Sequence, residues 1–175
     1  MKIPVVLVLC LMLVASVSDA QIMETPGTFA VGPAFEISLP AKSLADKVGT
    51  GYGGAACVQY VAMKNIALVA RAGYISWSDK EVPNVTSKAH AIELLLGPKF
   101  AFGSGIYAGL DLGIYMASRE FSVSDVEPLK VDETKAMAGA FIGYEFSGFD
   151  IGAKFYPFDS QYTNVTVSIG YWFGL

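Results

Sequence analysis

The chain has 175 residues, 53% of them hydrophobic and only 16% charged, with a formal net charge of −4. That balance excludes a disordered polyelectrolyte, and the negative sign argues against nucleic acid as a partner. Its 18 glycines and 13% aromatic residues point instead to a tightly packed, apolar β-protein.

Met1-Lys2 gives a short positive start, and the stretch from Ile3 to Val17 is apolar apart from Pro4 and Ser16. Ser18-Asp19-Ala20 places small residues three and one positions before Gln21. This reads as a secretory signal peptide over residues 1–20, cleaved near Ala20, because the apolar stretch is short for a membrane anchor. Cys10 lies inside it, and Leu7-Val8-Leu9 lacks the small residue a lipoprotein cysteine needs before it. Residues 21–28 then form a short tail and residues 29–175 one domain. Cys57 is left as the single cysteine of the processed chain, which excludes an internal disulfide and reads as a small packed residue.

Beyond the signal, no apolar run approaches the roughly 20 residues of a membrane helix; the run from Ala67 to Ile75 is broken by Arg71. Segments of alternating character follow one another instead, separated by turn residues. Phe29 to Leu39 sets Phe29, Val31, Phe35, Ile37 and Leu39 against Gly32, Ala34, Glu36 and Ser38. Pro40 to Thr50 is a polar loop. Gly51 to Ala62 sets Tyr52, Val58 and Tyr60 against Cys57 and Gln59, and Met63-Lys64-Asn65 turns into Ile66 to Trp77. After a loop from Ser78 to Ser87, Lys88 to Phe100 sets Ile92, Leu94 and Leu96 against Glu93, Gly97 and Lys99.

A turn at Phe102-Gly103-Ser104-Gly105 leads to the cleanest alternation, Ile106 to Ala117, with Ile106, Ala108, Leu110, Leu112, Ile114 and Met116 on one face. Ser118 to Glu133 reads as the longest and most charged loop. Thr134 to Phe146 and Phe149 to Phe158 are the sixth and seventh strands, joined by Ser147-Gly148. The eighth runs to the chain end, with Val165, Val167, Ile169, Tyr171, Phe173 and Leu175 on one parity and Thr166, Ser168, Gly170, Trp172 and Gly174 on the other. A soluble protein rarely ends on an exposed apolar strand, because the edge invites pairing with other chains. A closed barrel in lipid ends this way without penalty. Long and short connections alternate, as in outer-membrane barrels.

The signal sequence, the eight alternating segments and the terminal strand together resemble the small eight-stranded outer-membrane β-barrels, the OmpA- and OmpW-like group, over essentially the whole processed chain. The resemblance implies an all-β, antiparallel, up-and-down transmembrane barrel. The spacing of Ser168, Gly170, Phe173 and Leu175 also resembles the C-terminal signal read by the barrel assembly machinery. Outer-membrane lipid and that machinery are the partners implied, with an extracellular partner met through the loops.

Glu36, Glu93, Asp111, Glu145, Asp150 and Lys154, with Lys99 and Arg71, fall on the inward parity of their strands. Arg71 belongs to the segment that alternates least. Charge facing hydrocarbon is costly, whereas a lumen offers water and counter-charges. These residues read as ion pairs filling a small barrel, since eight strands enclose little more than their own side chains. Their other reading is a polar path for a solute or proton.

No catalytic, cofactor or metal site is expected. His90 is the only histidine, and His90 and Glu93, three apart on a strand, point to opposite faces. Some small outer-membrane barrels that modify lipids carry His and Ser two apart on one strand face. Here Lys88 and Ile92 flank His90 at that spacing. Three function classes remain: a structural or surface-interaction barrel, a narrow OmpW-like transporter of small apolar or weakly polar solutes, and a soluble lipocalin-like binder.

Overall fold

The computed structural model describes residues 25–41, 44–46, 48–79, 85–102, 104–123, 129–157 and 163–175. The signal-peptide reading over residues 1–20 lies outside them. The described chain is almost all strand: β1 (Phe29–Pro40), β2 (Val48–Met63), β3 (Ile66–Asp79), β4 (Val85–Ala101), β5 (Ile106–Val123), β6 (Leu129–Phe146), β7 (Phe149–Tyr156), β8 (Asn164–Tyr171) and β9 (Phe173–Gly174). From β1 to β8 each strand pairs antiparallel with its neighbour in sequence, and β1 pairs with β2 on one edge and with β8 and β9 on the other. β9 continues β8 past Trp172, because Ala34↔Gly170 and Val31↔Phe173 keep one register. The sheet is therefore a closed eight-stranded up-and-down barrel, with no edge left open along β1.

Alternation sets the wall. Phe35, Tyr52, Leu112, Ile142 and Ile169 are among many large apolar side chains exposed on the outside, while Glu36, Gln59, Glu93, Lys99, Asp111 and Lys154 are fully buried inside. Water would make such an outer face unstable, and hydrocarbon suits it. Among the described residues no helix is long and apolar enough to cross a membrane.

Both described chain ends and the short connections lie at one end of the barrel, called here the turn end. Ser147 and Gly148 carry φ of 46° and 82°, and Ser104 and Gly105 carry 52° and 84°. Paired positive φ values are those of the hairpin turn whose twist matches that of the strands. Outside this end runs an aromatic row: Tyr144 on Phe146 (5.8 Å), Phe146 on Phe149 (5.6 Å), Phe149 on Tyr171 (5.0 Å) and Tyr171 on Phe173 (4.9 Å). Rings stacked at one level of a lipid-facing wall form an interfacial girdle.

At the other end the strands outrun the sequence pattern. The segment from Ser118 to Glu133 reads as loop, yet β5 continues to Val123 and β6 starts at Leu129. β4 starts at Val85 rather than Lys88, and β2 at Val48 rather than Gly51. Beyond the hydrocarbon a strand needs no apolar face, so alternation disappears while the ladder goes on. β5 pairs with β6 from Ile106↔Tyr144 up to Phe121↔Leu129, whereas the β6–β7 ladder stops at Ala140↔Phe155. The wall thus stands higher on the β4–β6 side.

Candidate functional site: a filled lumen

Inward parity on neighbouring strands stacks side chains across a narrow interior. In the turn half, Lys99 of β4 donates to Glu145 Oε2 at 2.6 Å and to Gln59 Oε1 at 3.1 Å, and lies 3.6 Å from Asp150 Oδ2. Its ammonium also sits 4.0 Å from the Tyr107 ring centroid and 5.3 Å from that of Trp172, close enough for cation–π attraction. Asp150 accepts from the Tyr107 hydroxyl (2.8 Å) and from Trp172 Nε1 (3.1 Å). One buried cation is thereby held by two carboxylates, an amide and two rings.

Mid-barrel, Arg71 Nη1 donates to Asp111 Oδ2 at 2.7 Å and its guanidinium lies 5.3 Å from the Phe141 centroid. Tyr156 donates to the same carboxylate oxygen at 3.3 Å. Lys154 of β7 is bonded to Glu36 Oε1 of β1. Among the described residues, one cavity of about 20 Å³ is lined in part by Glu36, Cys57, Arg71, Asp150 and Trp172. It has room for one water and none for a solute.

The loop half is filled differently. Val48, Ile75, Trp77, Leu95, Tyr115 and Met137 pack into one buried cluster, joined by Leu44 from the β1–β2 connection. Trp77 and Tyr115 meet edge to face at 6.4 Å. Leu44 is only 2% exposed and packs in this cluster, closing the apolar plug over the ion pairs.

Of the eight inward charges read from the sequence, seven stand in these contacts: Glu36, Arg71, Lys99, Asp111, Glu145, Asp150 and Lys154. Glu93 does not. It is 1% exposed, and neither of its oxygens has a hydrogen-bond partner among the described residues. The partners that parity alone did not single out are Gln59, Tyr107, Tyr156 and Trp172, all on the inward rows. Half of this network's donors are aromatic side chains turned inward.

The four C-terminal residues separate by face. Ser168 is inward and reaches Gly152 O only at 3.5 Å. At Gly170 an added Cβ would come within 2.9 Å of Pro33 O, so the close approach of β8 to β1 requires glycine. Phe173 sits in the aromatic row. Leu175 is 79% exposed, and its backbone N–H donates to Phe29 O at 2.8 Å, joining the last residue to the first strand. His90 faces outward, tilted on Tyr74 at 6.0 Å, on the opposite face of β4 from Glu93.

The chain matches no protein-family model and no curated protein. Its fold is shared with solved barrels. Ail, the attachment invasion locus protein of Yersinia pestis, superposes with a TM-score of 0.65 at 15% identity, over 85% of this chain and 100% of that one. The N-terminal β-barrel domain of Pseudomonas aeruginosa OprF gives 0.57 at 16% identity, over 85% and 100%. The outer membrane protein OprG of the same organism gives 0.54 at 11%, over 86% and 97%. The fold is that of the eight-stranded outer-membrane β-barrels.

Proposed function

We propose that this chain serves in the bacterial outer membrane as a closed barrel with a structural or surface-interaction role, rather than as a channel or an enzyme. The observation that carries the reading is the combination of a lipid-compatible outer face with an interior filled along its length by side chains. A narrow transporter needs a continuous polar route, and the plug of Leu44, Trp77, Tyr115 and Met137 stands in its way. A lipocalin-like binder needs water-compatible outer rows, and these rows carry Phe35, Leu112 and Ile169.

The interaction surface in this reading is the loop end, where β4, β5 and β6 rise above their neighbours. Ail has been solved in complex with the heparin analogue sucrose octasulfate, a precedent for a barrel of this fold meeting an extracellular ligand. Delivery would use the signal sequence over residues 1–20, followed by recognition of Phe173 and Leu175 by the assembly machinery. No cofactor enters the reading.

Membrane fractionation tests it. The processed chain should sediment with outer membranes, resist carbonate extraction, and migrate differently in SDS before and after boiling, since a closed barrel has no free edge from which to unzip. Recovery wholly in the soluble periplasm or medium would reject the barrel reading and restore the lipocalin-like one.

A further inference from the structure

Around Glu93 the interior charges do not balance. The charged groups within electrostatic reach of Glu93 include Lys154 on β7, Glu36 on β1, Arg71 on β3 and Asp111 on β5, and the phenols of Tyr115 and Tyr156 lie within reach as well. Arg71 is taken by Asp111 and Lys154 by Glu36. Glu93 is then one carboxylate in excess, in an interior where an uncompensated charge is strongly unfavourable.

Two carboxylates within electrostatic reach of each other, Glu36 and Glu93, carry orphaned oxygens. Glu36 uses Oε1 on Lys154, while its Oε2 has no partner, like both oxygens of Glu93. Glu36 Oε2 lies 3.8 Å from where a Cβ would stand on Gly73, and Gly73 is the cross-strand partner of Glu93. The missing side chain at Gly73 thus leaves space beside Glu36 on the strand that pairs with Glu93. All three free atoms are acceptors, so only a donor or a cation satisfies them.

We propose that the lumen holds one small monovalent cation, a proton or an alkali-metal ion, between Glu36 and Glu93. One added positive charge brings the set of Arg71, Lys154, Glu36, Glu93 and Asp111 to neutrality. The guest binds the folded barrel and not the unfolded chain, so it contributes stability by mass action. For a proton the sign follows from linkage. The folded state carries the extra proton, so stability is present at low pH and declines as pH rises, with the folding equilibrium constant falling by up to about tenfold per unit. For sodium or potassium, stability declines instead as the ion is withdrawn at fixed pH.

The test is urea unfolding of the barrel in lipid vesicles along two arms. One arm varies pH at constant sodium; the other replaces sodium by N-methylglucamine at constant pH and ionic strength. The unmodified protein should lose stability along one arm, which identifies the guest, while Glu93→Gln should be flat along that arm. Parallel behaviour of the two proteins along both arms would overturn the site. If Glu93→Gln does not fold, the unmodified protein still decides the matter. A buried carboxylic-acid carbonyl band in the infrared spectrum supports a proton, and saturable 23Na line broadening that potassium or lithium competes away supports an ion. The absence of both rejects the proposal.

Discussion

In the turn half of the barrel Lys99 is enclosed by Glu145, Asp150, Gln59 and two aromatic rings, while in the loop half Trp77, Tyr115, Met137 and Leu44 make an apolar cluster with no ion pair in it. The two halves occupy the same narrow tube, and among the described residues each is filled by its own kind of side chain. They differ in what a single substitution does to them. A matched charge pair turns into an unmatched buried charge when one partner goes, whereas an apolar cluster loses contact area and relaxes in part. The lower half is therefore the more brittle, and the upper half the more tolerant.

The largest expected effect falls on the ion pairs. Lys154→Ala leaves Glu36 buried without its cation and should cost about 3–5 kcal/mol, read from urea unfolding in vesicles. Replacing both partners, Lys154→Met with Glu36→Gln, should recover most of that loss, because the penalty comes from the unmatched charge. Glu93→Ala should cost much less than Lys154→Ala, since no cation among the described residues is bonded to Glu93. Equal costs for these two single changes would erase the distinction between paired and unpaired carboxylates.

Next comes the apolar plug. Leu44→Ala should lower stability by roughly 2 kcal/mol, the lower end for a buried leucine, because its connection can settle into the space left. A cost as large as that of Lys154→Ala would mean that the apolar plug is no more tolerant than the ion pairs.

Phe173→Thr comes third. It lies at the interfacial level of the wall, where a polar change costs no more than ~1 kcal/mol, so refolding in detergent should hardly change. If the assembly machinery reads the terminal segment, outer-membrane abundance in cells should fall sharply all the same. Unchanged abundance of Phe173→Thr/Leu175→Ser would make the segment an ordinary closing strand. The smallest effect belongs to Lys130→Ala. Its pair with Asp132 at 3.2 Å is open to water on both sides and should contribute nothing measurable.

The wall of this barrel was legible in the sequence because lipid imposes a strict period of two. Glu36, Asp111 and Lys154 betrayed the inward face by being the charges opposite Phe35, Leu110 and Phe155. Above the lipid that constraint lapses, and residues such as Arg119 and Lys130 read as loop although the ladder runs through them. Parity also says which face a residue takes without saying whom it meets. Whether Lys99 meets Glu145 or Asp111 depends on the stagger between strands, and that is fixed by turns and closure. The plug was the least legible part, because Leu44 sits in a polar connection and enters the lumen only through the fold of that segment.

Purified protein in a planar lipid bilayer puts the filled lumen to its most direct test. With ion pairs intact below and the Leu44 plug above, the unmodified barrel should show very small conductance or none. Large, steady open channels in the unmodified protein would contradict the account and favour transport.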